Sequence, residues 1–425
     1  MDYIVVGAGI AGLAAADHLR ELGHNVLVLE CEDKPGGRMA SVMLGDVPAD
    51  LGAQFIATKY KNILAASRRI GLQTIKLRIK KTGIHHGNSI DYLNPESPLS
   101  ILAFKGLKPI NRLRALLGLG WTIVKPPYIR VERLEDGLSL DHEKAATYFA
   151  KSTGQEVVTN LLDPVLNGLA FYDLDNSSAG YFKAAALKLL TLKTLSYPKG
   201  IGELSQHLAS KGNIVYGARV QGITRQTKTV KISVQLGKKS LQITAKNVIV
   251  AVPGDRVLGL LETPTQAEKT FFSSVRYTSA VILHCRSKTG LPDGNSVVFF
   301  RPSTEKRIAA IHLNPYAKGR DATYFVVTLA NDYANDYMHG KVSQAEVSKL
   351  IESKIGKQAK LEILHSQNWP SAVPIYHPGY ITKLTEFEKT ITPRDLVLYC
   401  GDYLKGGFTE AAFTSGTETA KLALK

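Results

Sequence analysis

The stretch Tyr3-Ile4-Val5-Val6-Gly7-Ala8-Gly9-Ile10-Ala11-Gly12-Leu13 decides the fold. Tyr3 to Val6 has the make-up of a short buried strand. Gly7, Gly9 and Gly12 fall in the G-x-G-x-x-G pattern, and Leu13 to Leu22 reads as a helix. Gly23 and Asn25 supply a turn, Val26 to Leu29 reads as a second buried strand, and Glu30 ends it. Together they make a β-α-β unit with a dinucleotide fingerprint. Gly7 permits the tight turn, Gly9 lets a pyrophosphate come close to the backbone, and Gly12 lets the helix pack on the strand. The free N–H groups and partial positive charge at the helix N-terminus, around Ala11, suit a diphosphate. Glu30 stands where a carboxylate accepts hydrogen bonds from the adenosine ribose. That favours an unphosphorylated ribose, hence FAD or NAD rather than NADP.

Two short stretches separate FAD from NAD. Pro35-Gly36-Gly37-Arg38 comes right after the second strand, and Asp50-Leu51-Gly52-Ala53-Gln54 shortly after that. These residues resemble the G-G-R and D-x-G-x-x stretches of the large FAD-dependent family that includes flavin amine oxidases, protoporphyrinogen oxidases and carotenoid desaturases. Three later landmarks extend the resemblance. Tyr197-Pro198-Lys199-Gly200-Ile201-Gly202-Glu203-Leu204 is similar to the family's P-x-G-x-G-x-L return to the FAD domain. Trp369-Pro370-Ser371-Ala372-Val373-Pro374-Ile375-Tyr376-His377-Pro378-Gly379-Tyr380 resembles the W-x-x-A-x-P-x-Y-x-x-G stretch of protoporphyrinogen oxidases and related desaturases. Leu396 to Asp402 reads as a buried strand ending in Gly401-Asp402, and Phe408-Thr409 opens a last helix. The pattern is nearest to protoporphyrinogen oxidase-like members.

The resemblance implies an α/β fold: a Rossmann-type FAD-binding domain with an interleaved α+β substrate domain. It divides the chain into FAD-binding segments 1-71, 198-257 and 367-425. The substrate-domain segments are 72-197, mostly helical, and 258-366, sheet and helix. It implies that Gly37 and Arg38 lie at the cofactor diphosphate, where an arginine–phosphate bond is physically reasonable. The Gly52, Ala53 and Gln54 backbone would lie near the isoalloxazine, and the Val220 backbone against the adenine. Gly401-Asp402 would hold the ribityl or diphosphate end. The helix opening at Thr409 would aim its N-terminus at the pyrimidine edge, where it stabilises negative charge on reduced flavin. From Trp369 to Leu398 the chain has no cysteine, so the FAD is expected to be non-covalent.

Composition bounds the rest. The 425 residues are 44% hydrophobic and 21% charged, enough for an intimately joined two-domain enzyme and against wholesale disorder. Lys and Arg number 53 against 37 Asp and Glu, a net +16, which attracts anions such as acidic headgroups or carboxylated substrates. No nucleic-acid-binding module or long basic run is present, so nucleic acid is not expected as a partner. Cys31, Cys285 and Cys400 are scattered, so neither disulfide nor metal site is expected. The chain enters its first strand at once, so no signal peptide is expected, and no apolar run approaches the ~20 residues of a membrane span. A cytoplasmic location is the expectation, with peripheral attachment to a membrane as the alternative. Oligomeric state is not legible.

Leu107 to Val131 bears on that alternative. Leu113, Leu116, Leu117, Leu119, Trp121, Ile123 and Val124 are apolar, Lys105, Lys108, Arg112, Arg114, Lys125, Arg130 and Arg133 flank them, and Pro126-Pro127 ends the run. It reads first as a core helix of the substrate domain with solvated ends, and second as a helix lying in an anionic membrane surface. Further on, Leu140 to Leu174 reads as two helices broken at Gly154 and Pro164. The apolar strand Val248 to Val252 suits a sheet covered on both faces.

No Ser-His-Asp or metal constellation competes with flavin chemistry, and no acid or base is nameable from spacing. His284, His312, His365 and His377 are candidates only by being titratable. Many amine oxidases of the family carry a lysine on the substrate-domain strand, but Tyr277 to Val281 has none. Many also face the flavin with two tyrosines. Phe408 takes one of those places, and Tyr380 or Tyr376 is the candidate for the other wall. The expected activity is therefore oxidation, that is desaturation, of an apolar small molecule by hydride transfer to flavin N5. A porphyrinogen or an isoprenoid or carotenoid polyene fits best, with oxygen or another acceptor taking the electrons. An amine or amino-acid oxidase is the alternative, and a flavin-binding protein without turnover the third.

Overall fold

Alternation along the first strand explains how the core is split. Tyr3 and Val5 feed one hydrophobic cluster while Ile4 and Val6 feed another, so all of Tyr3–Val6 is buried. The computed structural model describes residues 1–77, 81–86, 89–94, 97–130, 133–189, 193–288, 296–317, 322–355 and 360–425. Tyr3–Val6, the helix Ile10–Glu21 and the strand Val26–Leu29 form the β-α-β unit read from the sequence. They sit in a five-stranded, all-parallel sheet ordered Ile214–Val215, Val26–Leu29, Tyr3–Val6, Asn247–Val250, Val397–Tyr399. The last helix, Thr409–Ala423, packs on Ile10–Glu21 so tightly that a Cβ on Gly416 would stand 2.0 Å from the Ala11 carbonyl oxygen.

A second sheet of seven strands runs Glu362–Trp369, Ala280–Ser287, Thr323–Ala330, Ile308–Leu313, Ser296–Phe300, Lys81–His86, Ser89–Leu93. Every neighbouring pair is antiparallel except Ser296–Phe300 with Lys81–His86. Its outermost strand, Glu362–Trp369, crosses the division expected between 366 and 367. A small antiparallel sheet puts Thr194–Ser196 between Ile56–Ala57 and Ile75–Lys76.

Two local expectations need correcting. Gly154, at φ +89°, does end the helix Ala145–Thr153, but Pro164 breaks nothing. A π-helical turn, Val158–Leu162, leads straight into the helix Asp163–Ala170 with Pro164 in its first turn. A proline has no N–H to give to the turn before it, and here that turn is the π-helical one. The reading of Leu107 to Val131 as a core helix also fails on one face. Pro109–Val124 is helical and buries Ala115 and Leu119, yet Ile110, Leu113, Leu117, Trp121 and Val124 stand exposed. Their spacing of three and four residues makes them a single outward stripe.

The helix contacts predict opposite effects for two glycine substitutions. Gly416→Ala should lower stability by about 1–3 kcal/mol through overpacking. Gly120→Ala lies in open space on the exposed helix and should raise it by up to about 1 kcal/mol. Thermal unfolding of both variants checks the pair, and equal shifts would contradict this packing.

Candidate functional site

The two chain ends and the interior meet around one cavity of about 1100 Å³. Gly9, Ala11, Arg38, Gly52, Ala53, Gln54, Gly401, Asp402, Phe408 and Thr409, all singled out from the sequence, line it. Gly7, Gly12, Glu30, Gly37 and Val220, also singled out, are not among its described walls. Gly7 adopts φ +107°, and a Cβ on Gly12 would come within 2.0 Å of the Gly7 oxygen, whereas Gly9 faces open space. Turn, close packing and open approach are thus divided among the three glycines as the fingerprint requires. The Glu30 carboxylate is aimed by backbone amides: Ala8 N–H donates to it at 2.6 Å and Glu32 N–H at 2.9 Å. Val220 is buried beside a bulge in the strand Ala218–Arg225.

Arg38 and Asp402, read separately from the sequence, hold each other. The guanidinium donates twice to the carboxylate, at 2.6 and 3.0 Å, and once to the Ala372 carbonyl at 2.8 Å. Tyr277 donates its hydroxyl to the same carboxylate at 3.3 Å and accepts the Gly254 amide at 3.1 Å. Burial alone would lower the Arg38 pKa, but the Asp402 charge outweighs it and keeps the guanidinium firmly protonated. The loop bearing Arg38 locks onto the next loop: Ala53 N–H donates to the Arg38 carbonyl at 2.8 Å, and a Cβ on Gly52 would stand 2.3 Å from that oxygen.

Tyr376 and Tyr380 do not form a wall, a correction to the expected cage. Both are fully buried behind it. Tyr376 donates to the Asp402 carbonyl and Tyr380 to the Tyr403 carbonyl, each at 2.8 Å, and Tyr376 stacks on Tyr181. Their hydroxyls serve the turn that carries Asp402, so neither ring is free to face a ligand. Val373 and Phe408 both line the cavity, and a Cβ on Gly407 between them in the wall would meet the Tyr181 hydroxyl at 3.0 Å and Val373 at 3.3 Å.

Gln54 is held in place. Its amide donates to the Asp50 and Gly52 carbonyls, both at 2.9 Å, and its oxygen lies 3.0 Å from His312 Nε2. His312 therefore donates through Nε2. Burial, then nearby His284, lowers its pKa to about 4. His284 bonds the Asp50 carbonyl at 3.0 Å, and burial lowers its pKa to about 4 as well. His365 lies beside His284, with ring centres 6.4 Å apart, and His377 bonds the Ser274 and Pro378 carbonyls. The Asp50 carboxylate accepts from Ser41, Ile201 N–H and Tyr316, and burial raises its pKa to about 6. The sequence marks Asp50, Gln54, His284 and His312 singly but not as partners, because they lie far apart in the chain and meet only in the fold.

These residues fit a flavin dinucleotide on structural grounds. The glycine turn leaves the space a diphosphate needs, Glu30 is oriented at the end of the second strand, and the Thr409 hydroxyl at the cavity is buried without a hydrogen-bond partner. No cysteine is among the described cavity walls.

Comparison with known proteins agrees. Residues 10–424 match the model of the family described as flavin containing amine oxidoreductase, and the chain belongs to that family. FAD is its cofactor. The chain is 30% identical over 267 residues to AofH of Mycobacterium tuberculosis, named as a flavin-containing monoamine oxidase, covering 60% of this chain and 57% of that one. It is also 30% identical over 177 residues to the mitochondrial protoporphyrinogen oxidase of Nicotiana tabacum, covering 41% and 33%. The chain thus spans just over half of AofH and a third of the tobacco protein. The structure of a protoporphyrinogen oxidase-like protein from Exiguobacterium sp. 255-15 superposes with a TM-score of 0.77 over 99% of this chain and 98% of that one, at 15% identity.

The histidine pair gives a pH prediction. A histidine whose folded pKa lies near 4, below its ordinary 6.5, contributes stability above pH 6.5 that is lost as pH falls toward 4. Each is worth on the order of 3 kcal/mol across that window. Asp50 acts oppositely, its contribution being present at low pH and lost as pH rises through about 6. His312→Gln keeps a donor for Gln54 and removes one titration, so its melting temperature should fall less than wild type's between pH 7 and 5. Parallel curves for the two proteins would refute the assignment.

Proposed function

We propose that the protein is an FAD-dependent oxidoreductase that desaturates an apolar small molecule, such as a porphyrinogen or an isoprenoid or carotenoid polyene. One observation carries the reading. The cavity beyond the flavin-side residues is walled by apolar side chains, among them Ile101, Leu119, Leu162, Val165 and Phe299, and the carboxylate of Asp402 is the only one among its described walls. That carboxylate is already neutralised by Arg38. An ammonium group entering the cavity would lose its hydration and gain no free anion, a cost of several kcal/mol. The amine or amino-acid oxidase alternative keeps the description of the family and the names of relatives in its favour, but neither Tyr376 nor Tyr380 is among the described walls to form a cage with Phe408.

Bound FAD supplies the two-electron acceptor, with oxygen or another small molecule taking the electrons onward. The chain's own share is orientation and exclusion of water. Gln54, fixed by His312 and two carbonyls, presents a rigid edge to the cavity. Trp369, pinned by its indole N–H to the Leu51 carbonyl at 2.6 Å, and Phe408 supply flat walls. His312 is a positioning residue in this scheme: it stays neutral, and its Nε2 proton is committed to Gln54.

The exposed stripe supports peripheral attachment to an anionic membrane surface. Leu117 and Trp121 are 62% and 61% exposed, and Leu99 and Leu102 from the preceding turn extend the patch. From residue 97 to residue 130 the chain carries six Lys and Arg and no Asp or Glu. No helix among the described residues is long and apolar enough to cross a membrane. An apolar stripe with basic flanks gains both by burial and by attraction to acidic headgroups.

Two measurements test these readings. Under anaerobic conditions a porphyrinogen or polyene should bleach the flavin band near ~450 nm, whereas primary amines should not. Bleaching by amines alone would replace the desaturase reading with the oxidase one. In flotation with anionic liposomes, wild type should rise with the vesicles and Leu117→Glu/Trp121→Glu should stay behind. Equal behaviour of the two proteins would remove the membrane from the scheme.

A further inference from the structure

A residue that is exposed and also lines a cavity marks its mouth. Thr58, Lys76 and Lys193 do both on one side, and Asn94 and Pro98 on the other. The first three belong together. Lys76 pairs with Leu195 in the small antiparallel sheet, and Lys193 lies two residues before Leu195, on the same face. Thr58 is bonded opposite Lys193, its N–H donating to the Lys193 carbonyl at 3.0 Å. Diagonal neighbours of this kind lie about 7–8 Å apart, within reach of two lysine side chains meeting on one group. Neither lysine is ion-paired among the described residues, whereas the charged walls deeper in the cavity are spoken for: Arg38 and Asp402 hold each other. The lining that accompanies the lysines is apolar, with Leu195 on their face of the small sheet and Leu162 among the other walls.

We infer that this lip binds the anionic end of the substrate, and that the substrate is an amphiphile: an apolar body lying in the cavity and a carboxylate held between Lys76 and Lys193. Two ammonium groups at the rim of a largely apolar cavity form charge-assisted hydrogen bonds to a carboxylate that stays partly hydrated, so the anion is held without full desolvation. The net charge of +16 draws such a ligand toward the lip. The inference deepens the desaturase reading and rests on it only for the fate of the bound molecule.

Binding to the FAD-loaded protein tests it without any turnover. Isothermal titration would compare oleate, below its micellar concentration, with oleyl alcohol, which has the same chain and no charge. Oleate should bind wild type about tenfold more tightly than the alcohol, and added salt should shrink that ratio. Lys76→Gln/Lys193→Gln should bring the ratio close to one and leave the alcohol's affinity unchanged. Lys105→Gln/Lys108→Gln, on the basic flank away from the cavity walls, should leave the ratio intact. Equal binding of acid and alcohol by wild type, failure of both to bind, or an equal loss in the Lys105/Lys108 variant would overturn the lip. Flavin bleaching is not read here, so failure of the redox reading and failure of the lip are separate results.

Discussion

Two hydrogen bonds between the Arg38 guanidinium and the Asp402 carboxylate connect residues 364 positions apart, and the rest of the site is built around them. The pair draws in four of the five segments of the chain. Ala372 offers its carbonyl to Arg38, Tyr277 gives its hydroxyl to Asp402, Gly254 gives its amide to Tyr277, and Tyr376 bonds the Asp402 carbonyl. A buried ion pair repays its desolvation only when the geometry is good and the remaining donors and acceptors are met. Here they are met by the first loop after the fingerprint, the two crossings between sheets, and the final strand. Removing Asp402 would strand the Arg38 guanidinium with no other carboxylate among the described walls, so the pair sets the polarity of the cavity floor.

A second layer holds the opposite side. Asp50 ends the stretch that begins at Arg38, and its carboxylate collects Ser41, Ile201 and Tyr316, while its carbonyl receives Gln54 and His284. One residue thus joins the glycine-rich return at Gly200 to the seven-stranded sheet at His284. Glu410 does the same at the other end. It accepts the Asn62 and Ile63 amides at 2.7 and 3.0 Å and so caps the helix Lys61–Arg69, which has no capping side chain of its own. The cavity keeps its shape because its loops are tied by buried acids to elements far away in sequence.

This pattern explains what is legible in the chain and what is not. The β-α-β unit is readable because strand period, glycine spacing and terminal acid are local, and Gly7, Gly9 and Gly12 each take the conformation or clearance their positions require. The interleaving of two sheets is readable only through resemblance, since nothing in Lys81–His86 announces that it pairs with Ser296–Phe300. Side-chain partners escape altogether. Arg38 and Asp402 are each legible as polar residues next to glycines, but not as each other's counter-ion. Tyr376 and Tyr380 have the composition of a cage, yet their hydroxyls are committed to backbone carbonyls. Pro164 has the look of a break because a π turn ahead of it leaves no mark in the sequence. The helix Pro109–Val124 misleads for a plainer reason: an apolar stripe has the same period whether it meets a core or the outside.

That last ambiguity bears on how the molecule uses its charge. A net +16 spread evenly would serve solubility and no more. It is not spread evenly. Six Lys and Arg lie between residues 97 and 130, a stretch with no Asp or Glu in its sequence, on the segment that bears the exposed apolar stripe, and two more lysines without a carboxylate partner among the described residues stand at the mouth of an apolar cavity. Pro98 and Ile101 of the turn before the helix line the cavity, while Leu99 and Leu102 of the same turn face outward. One turn of chain therefore separates the inner apolar surface from the outer one. A molecule that leaves one for the other crosses little water if its charged end can rest on a cation during the passage, and the lysine lip provides that cation. Basic residues beside apolar surface, inside and out, are then one arrangement for handling amphiphiles, where a uniformly polar surface would leave both the stripe and the unpaired lysines without a physical reason.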